Sequence, residues 1–347
     1  MGAALFNRPF ISIVIPCRNE KKYIGPCLNS IIANDYPKDQ LEVLAVDGMS
    51  EDGTRGVLES YVEKYPYIRL LDNPRQITPS ALNIGILNTK GEIIIRIDAH
   101  AWYEKDYISR CVESLCTHGA DNVGGIMKAI SPEDKFIGQA IVSVLSHRFG
   151  VGNSYFRVHT NKPKWVDTVF GGCYRREVFD RIGLFNEHLV RGQDMEFNLR
   201  LKAAGGRILL LPDIVSYYYP PSRFVSFCKH SFRNGIWAVL PFLYSPVMPV
   251  SWRHLVPLAF VLGLFVLSTA GSWMLFAASL FYAATNLAVS AQVALRKKDL
   301  RCLPVLSLIF ASLHLSYGLG SLLGIVKVII HVIARVGSKQ REVIGRC

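Results

Sequence analysis

Short β-branched runs alternate with helix-length stretches through the first half of the chain. Ile11-Ser12-Ile13-Val14-Ile15, Glu42–Val46, Ile68–Leu71 and Glu92–Ile97 read as strands, with helices expected over Tyr23–Ala33, Thr54–Lys64 and Thr78–Leu87. This alternation predicts an α/β domain with a parallel sheet and crossover helices. Polar clusters stand directly after three of the strands: Pro16-Cys17-Arg18-Asn19-Glu20, Asp47-Gly48-Met49-Ser50-Glu51-Asp52-Gly53, and Asp98-Ala99-His100. In such sheets the ligand crevice lies at the carboxyl ends of the strands, where the three clusters should converge.

The texture changes after Trp252. From Leu255 to Leu295 there is no Asp, Glu, Lys, Arg or His, enough for two membrane spans of about 20 residues each, with a turn expected at Thr269–Ser272. Leu303–Val326, interrupted only by His314, is long enough for a third. Arg253, Arg296, Lys297, Lys298 and Arg301 flank the first two spans, and the bias of Lys and Arg toward the cytoplasm places these ends there. A third span would put Arg335, Lys339, Arg341 and Arg346 outside, so a re-entrant or interfacial last helix is the alternative. The N-terminus shows no secretory signal. The expected division is therefore a catalytic domain over 1–220, an amphipathic interface segment over 221–252, about three transmembrane helices over 253–330 and a basic tail over 331–347. The catalytic domain should face the cytoplasm at the inner membrane.

A formal net charge of +12 suits phosphate-bearing ligands beside an anionic bilayer and membrane lipid itself. Nucleic acid is not expected as a partner, because the basic residues are dispersed or hug the apolar segments and no base-reading module is visible. The eight cysteines form no C-x-x-C pair and read as reduced thiols.

Asp98 closes an apolar strand, where a carboxylate can bind a divalent cation bridging a diphosphate, although such residues also serve as turn formers and helix caps. Asp47 and Asp52 carry the same two readings. Asp194 and Glu196 open a helix expected to run to Ala204, as a general base near a reacting hydroxyl or as acids favoured by the helix dipole. Phe170-Gly171-Gly172-Cys173 is either a place where a ligand approaches the backbone or a tight turn.

Taken in order, Ile13–Glu20, Val46–Thr54, Ala81-Leu82-Asn83-Ile84-Gly85, the Asp98 cluster, Phe170–Cys173 and Gln193–Glu196 resemble the blocks of family 2 glycosyltransferases. The resemblance covers roughly Ile11–Tyr219. Within that family the Asp-Ala-His variant and the apolar tail look most like the succinoglycan-biosynthesis ExoA-type membrane enzymes. It implies a GT-A fold, with a Rossmann-like, mostly parallel sheet, and inverting transfer from a nucleotide sugar, usually a UDP-sugar, to a lipid-linked saccharide in polysaccharide biosynthesis. By carry-over, Pro16, Arg18, Glu20, Asp47, Asp52, Asn83 and Asp98 would bind the donor. Gly171, Gly172 and Glu196 would line the acceptor site, and Asp194 would be the base. The metal, Mn²⁺ or Mg²⁺, would sit on Asp98 and His100; His100 replaces the family's second aspartate, and imidazole suits Mn²⁺ better than Mg²⁺. The Gln-x-x-Arg-Trp of processive relatives is absent, since Lys229–Trp237 lacks the Gln and separates Arg233 from Trp237, which implies single additions. A polyprenyl-phosphate sugar synthase and a catalytically silent nucleotide-binding partner of an export complex are the competing readings.

Overall fold

Strands dominated by apolar residues bury both faces, and Ile11–Cys17, Leu41–Asp47 and Ile93–Arg96 do so almost throughout, taking Ser12, Glu42, Asp47 and Arg96 inside with them. The computed structural model describes residues 8–131, 136–245, 247–270 and 272–344. Its strands begin with β1 (Ile11–Cys17), β2 (Leu41–Asp47), β3 (Ile68–Asp72) and β4 (Ile93–Arg96), linked by helices α1 (Ile24–Ile32), α2 (Thr54–Lys64) and α3 (Thr78–Leu87). There follow β5 (Ala101–Tyr103), α4 (Tyr107–Thr117), β6 (Asn122–Ala129), α5 (Phe136–Leu145), α6 (Arg148–Val151), α7 (Tyr155–Val158), β7 (Lys164–Trp165) and β8 (Cys173–Arg175). The rest comprises α8 (Arg176–Ile182), α9 (Gln193–Ala203), β9 (Ile208–Tyr218), α10 (Phe224–Ile236), α11 (Val256–Ala270), α12 (Ser272–Arg296) and α13 (Leu303–Ile344). The chain divides into two units: residues up to Ile130 with Ser154–Tyr219, and Ser131–Asn153 with everything from Pro220 onward.

The first unit is built on one sheet of order β3-β2-β1-β4-β8-β6-β9-β5, with β7 paired to β9. β3, β2, β1 and β4 are parallel, as expected. The other half departs from the expected parallel sheet: β8 runs antiparallel to both β4 and β6, and β5 and β7 run antiparallel to β9, while β6 and β9 are parallel. Strands of two or three residues carry no usable periodicity, so their direction comes from the loops that deliver them rather than from a pattern along the chain. Successive residues of a strand face opposite sides. Ile11, Ile13 and Ile15 accordingly pack with α1 and α4, while Val14 and Val46 pack with α3, α8 and α9. Four of the free cysteines are buried among these apolar residues, and no disulfide occurs among the described residues.

The second unit contains three helices long and apolar enough to cross a membrane, Trp252–Thr269, Trp273–Arg296 and Leu300–Arg335. α13 is unbroken over 42 residues, about 63 Å at ~1.5 Å per residue, and so neither turns back on itself nor leaves a separate tail at 331. The expected turn at Thr269–Ser272 includes Gly271, which lies outside the described residues. α10 docks on α13 through Phe227, Ser231 and Gly235. A Cβ on Gly235 would overlap the Tyr317 carbonyl, so only glycine allows this approach. Ser131–Asn153, which the sequence assigns to the catalytic domain, belongs to this unit. Ala140, Ile141 and Val144 of α5 bury against Val293, Ala294, Leu306, Ile309 and Phe310, and His314 is held by the Tyr282 hydroxyl (2.8 Å) and the Phe149 carbonyl (2.8 Å).

Candidate active site

The order of strands reverses between β1 and β4: the chain builds outward through β2 and β3, then returns to the other side of β1. A crevice opens at the carboxyl edge of such a reversal, because the connections leave in opposite directions. Pro16, Arg18 and Glu20 come from the end of β1, Asp47 and Asp52 from the end of β2, and Asp98 and His100 from the end of β4. The three polar clusters therefore meet along adjacent strands.

The β1 and β2 ends are laced together. Asn19 donates its N–H to Ser50 Oγ (2.9 Å), Glu51 N–H to Asn19 Oδ1 (3.0 Å), Glu20 N–H to Thr54 Oγ1 (2.8 Å) and Lys21 N–H to Asp52 Oδ2 (3.1 Å). Asp52 also accepts from Thr54, whose hydroxyl is the main cause holding its carboxyl below the usual range. Asp47 is fully buried and accepts from Ser50 (2.5 Å), with the Arg55 guanidinium at 3.5 Å. It organises the loop from inside. Arg18 is exposed. Pro16 lies beyond the β1–β4 pairing, which ends at Val14, so its missing N–H leaves no gap there.

Arg96 is the last residue of β4 and Asp98 follows it two residues on. Arg96 Nη2 contacts Asp98 Oδ1 at 3.0 Å, and Arg96 Nη1 lies 3.2 Å from Asp194 Oδ2. The guanidinium side chain is 6% exposed, against 15% for Asp98 and 33% for Asp194. Burial opposes its charge, but Asp194 and Asp98 outweigh that cost and keep it protonated. Sequence reasoning missed this residue, although a single arginine inside the run Ile93–Ile97 was a signal.

Asp194 reaches the cluster from the first turn of α9. Glu196 does not: it is fully buried and bonded to Arg200 (3.0 Å), which also holds the carbonyls of Ile182 and Leu184. Asn83 is likewise turned inward, donating to the Phe185 carbonyl and Glu187 and accepting from the Phe185 N–H, each at 2.9 Å. Gly171 and Gly172 take φ of +66° and +121°. A Cβ would lie 2.8 Å from the Arg96 carbonyl at Gly171 and 2.5 Å from the Tyr174 ring at Gly172. The pair lets the loop meet β4 directly, with Arg96 N–H donating to the Gly172 carbonyl (2.9 Å).

His100 Nδ1 lies 2.9 Å from Glu20 Oε1, a partner the sequence did not disclose. Burial pushes the imidazole down, but the Glu20 hydrogen bond and the Asp98 charge together raise it above its ordinary value. Among the described residues no three ligating side chains gather into a cluster that could hold a metal by themselves. A hard divalent ion that arrives with a diphosphate needs only one or two protein ligands, so Asp98 and His100 fit an ion of that kind. Burial, reinforced by Asp47 and Asp98 respectively, drives the Cys17 and Cys27 thiols far above their usual range. Neither is a thiolate nucleophile at neutral pH.

A parallel α/β half with acidic strand ends, joined to a mixed half that brings a carboxylate from a helix start, is the arrangement of a glycosyltransferase of GT-A fold. The family model described as glycosyl transferase family 2 matches residues 12–183, and the chain belongs to that family. It is 32% identical over 234 residues to a dolichyl N-acetyl-alpha-D-glucosaminyl phosphate 3-beta-D-2,3-diacetamido-2,3-dideoxy-beta-D-glucuronosyltransferase of Methanococcus voltae, covering 65% of this chain and 72% of the relative. It is 29% identical over 268 residues to the succinoglycan biosynthesis protein ExoA of Rhizobium meliloti, covering 71% and 80%. In fold it is similar to the mannosyltransferase PcManGT from Pyrobaculum calidifontis, solved with GDP-Man and Mn²⁺. That likeness has a TM-score of 0.61 at 23% identity, covering 91% of this chain and 88% of that one.

Proposed function

We propose that this enzyme transfers one sugar, with inversion, from a nucleotide sugar, typically a UDP-sugar, to a saccharide carried on a membrane lipid. The observation that carries the reading is the pair of carboxylates on Arg96: Asp98 from a strand end and Asp194 from a helix start, joined by one guanidinium. The first suits the diphosphate end of a donor and the second the hydroxyl of an acceptor. Asp194 takes the proton as the acceptor oxygen bonds to the anomeric carbon, and the bond from that carbon to the diphosphate breaks on the opposite side. The nucleotide lies along the β1 and β2 ends, contacting Pro16, Arg18, Glu20 and Asp52, in a loop shaped by Asp47; Gly171 and Gly172 bring the acceptor side of the crevice up to β4. Asp98 and His100 would hold Mn²⁺ or Mg²⁺, which supplies charge neutralisation to the departing diphosphate. A lipid-linked acceptor fits a chain that carries three helices able to cross a membrane, and the relatives named for a dolichyl N-acetyl-glucosaminyl phosphate and for succinoglycan biosynthesis support it. The exposed Arg296, Lys297, Lys298 and Arg301 favour a multi-pass arrangement at the inner membrane with the catalytic unit on the cytoplasmic side.

The test is a screen of membrane fractions with labelled UDP-glucose, UDP-galactose, UDP-N-acetylglucosamine and GDP-mannose, with Mn²⁺ or Mg²⁺, followed by thin-layer separation of the lipid extract. Label should enter an extended lipid-linked saccharide, and both EDTA and Asp98→Ala should remove most of it. Label on a bare polyprenyl phosphate would replace this acceptor with the synthase reading. Undiminished transfer in excess EDTA would remove the metal from the account.

A further inference from the structure

We propose that Arg96 is a positioning residue for glycosyl transfer: its guanidinium, shared between Asp98 and Asp194, holds the Asp194 carboxylate oriented to receive the acceptor proton. The proposal rests on the reading of Asp194 as the base.

Three observations converge on it. β4 is an apolar strand whose neighbours Ile93, Ile94, Ile95 and Ile97 are all buried; an isoleucine or valine would serve the sheet at position 96, whereas a buried guanidinium is costly unless charges meet it. The charges that meet it come from two separate elements, and among the described residues no other side chain is ion-paired to both Asp98 and Asp194. The third observation is a contrast with the arginines that hold the fold. Arg175 donates to the Leu115 and Ala120 carbonyls, Arg176 to the Gly91 carbonyl and Thr89, and Arg200 to the carbonyls of Ile182 and Leu184 as well as Glu196. Among the described residues Arg96 bonds no carbonyl with its side chain, its buried Nε has no acceptor, and Nη1 meets Asp194 as a charge contact outside hydrogen-bond alignment. The guanidinium is thus committed to the two carboxylates and to nothing that shapes the backbone.

This matters because Asp194, a third exposed on the first turn of α9, has no other ion pair among the described residues. A base must lie within hydrogen-bond reach of the proton it takes, and misplacement by ~1 Å can cost on the order of a hundredfold in rate. A planar fork can hold two carboxylates at once; a single ammonium keeps the charge but not the fork.

The experiment uses the full-length chain in detergent, with the turned-over nucleotide sugar from the panel above for kinetics and Mn²⁺–UDP as the binding probe. Arg96→Lys, Asp194→Asn and the double variant form a cycle, with Arg96→Gln as a second single variant. Arg96→Lys should lower kcat roughly ten- to a hundredfold, leave donor KM and Mn²⁺–UDP affinity within about threefold, and have no further effect in the Asp194→Asn background. If Asp194→Asn itself leaves turnover near the parent, the underlying reading fails. If it collapses turnover while Arg96→Lys is as active as the parent, or lowers kcat equally in both backgrounds, the role of Arg96 is overturned. Loss of Mn²⁺–UDP binding in both the Lys and Gln variants would assign Arg96 to the donor site through Asp98, or to the fold, and overturn the role at Asp194 as well.

Discussion

Around the axis of α9, Asp194 and Glu196 stand about 200° apart at ~100° per residue. One of them can face the crevice only if the other faces the core, and Glu196 takes the core side, where Arg200 one turn later neutralises it. The two acids therefore respond to substitution differently. Glu196→Gln leaves the half-buried Arg200 guanidinium without its charge partner, a loss that costs up to ~3 kcal/mol once partial exposure is discounted. A thermal melt should show that loss, with transfer per folded molecule close to the parent. A normal melting temperature with collapsed turnover would return Glu196 to the chemistry. The acidic strand ends were legible as a group in the sequence because aspartates after apolar runs are conspicuous. Which side of a helix or loop each residue faces was not, and this is why Asn83 and Glu196 entered the site on paper and left it in space. Arg96 and the Glu20–His100 contact were hidden for a related reason: long-range pairing leaves no mark on local spacing.

At the scale of elements, the parallel half of the sheet could be read almost residue by residue, and α2 and α3 begin and end where the pattern places them. Largely apolar strands and helix-length connections are local features. β5, β7 and β8 span two or three residues, and their order in the sheet depends on loops such as Gly171-Gly172, whose backbone conformation says more than its hydrophobicity. Lys229–Trp237 shows the same limit. The sequence suggests an amphipathic helix, and α10 does expose Lys229 and Arg233, but its other side is spent on α13. Gly235→Val would force that helix pair apart. The variant should lower the melting temperature in detergent and leave Mn²⁺–UDP affinity unchanged; an unaltered melt would mean that the close approach contributes little.

For the whole molecule, the apolar C-terminal helices were plain from composition, whereas the membership of Ser131–Asn153 in that unit was not, because a ten-residue apolar helix reads equally well as domain core. Removing everything after about Pro249 should abolish carbonate-resistant membrane association, since the candidate spans go with it. The same truncation uncovers the apolar sides of α5 and α10, formerly buried on α13, so the fragment should stay loosely membrane-bound or self-associate until salt or mild detergent releases it. Full carbonate resistance of the fragment would contradict the assignment of the spans. The central claim, that this molecule is a glycosyltransferase whose base is Asp194, is tested most directly by kcat of Asp194→Asn measured beside its affinity for Mn²⁺–UDP. Asparagine keeps the shape but cannot accept the proton. The account predicts a fall of about 10²- to 10⁴-fold in kcat with nucleotide affinity near that of the parent, and turnover within about threefold of the parent would contradict it.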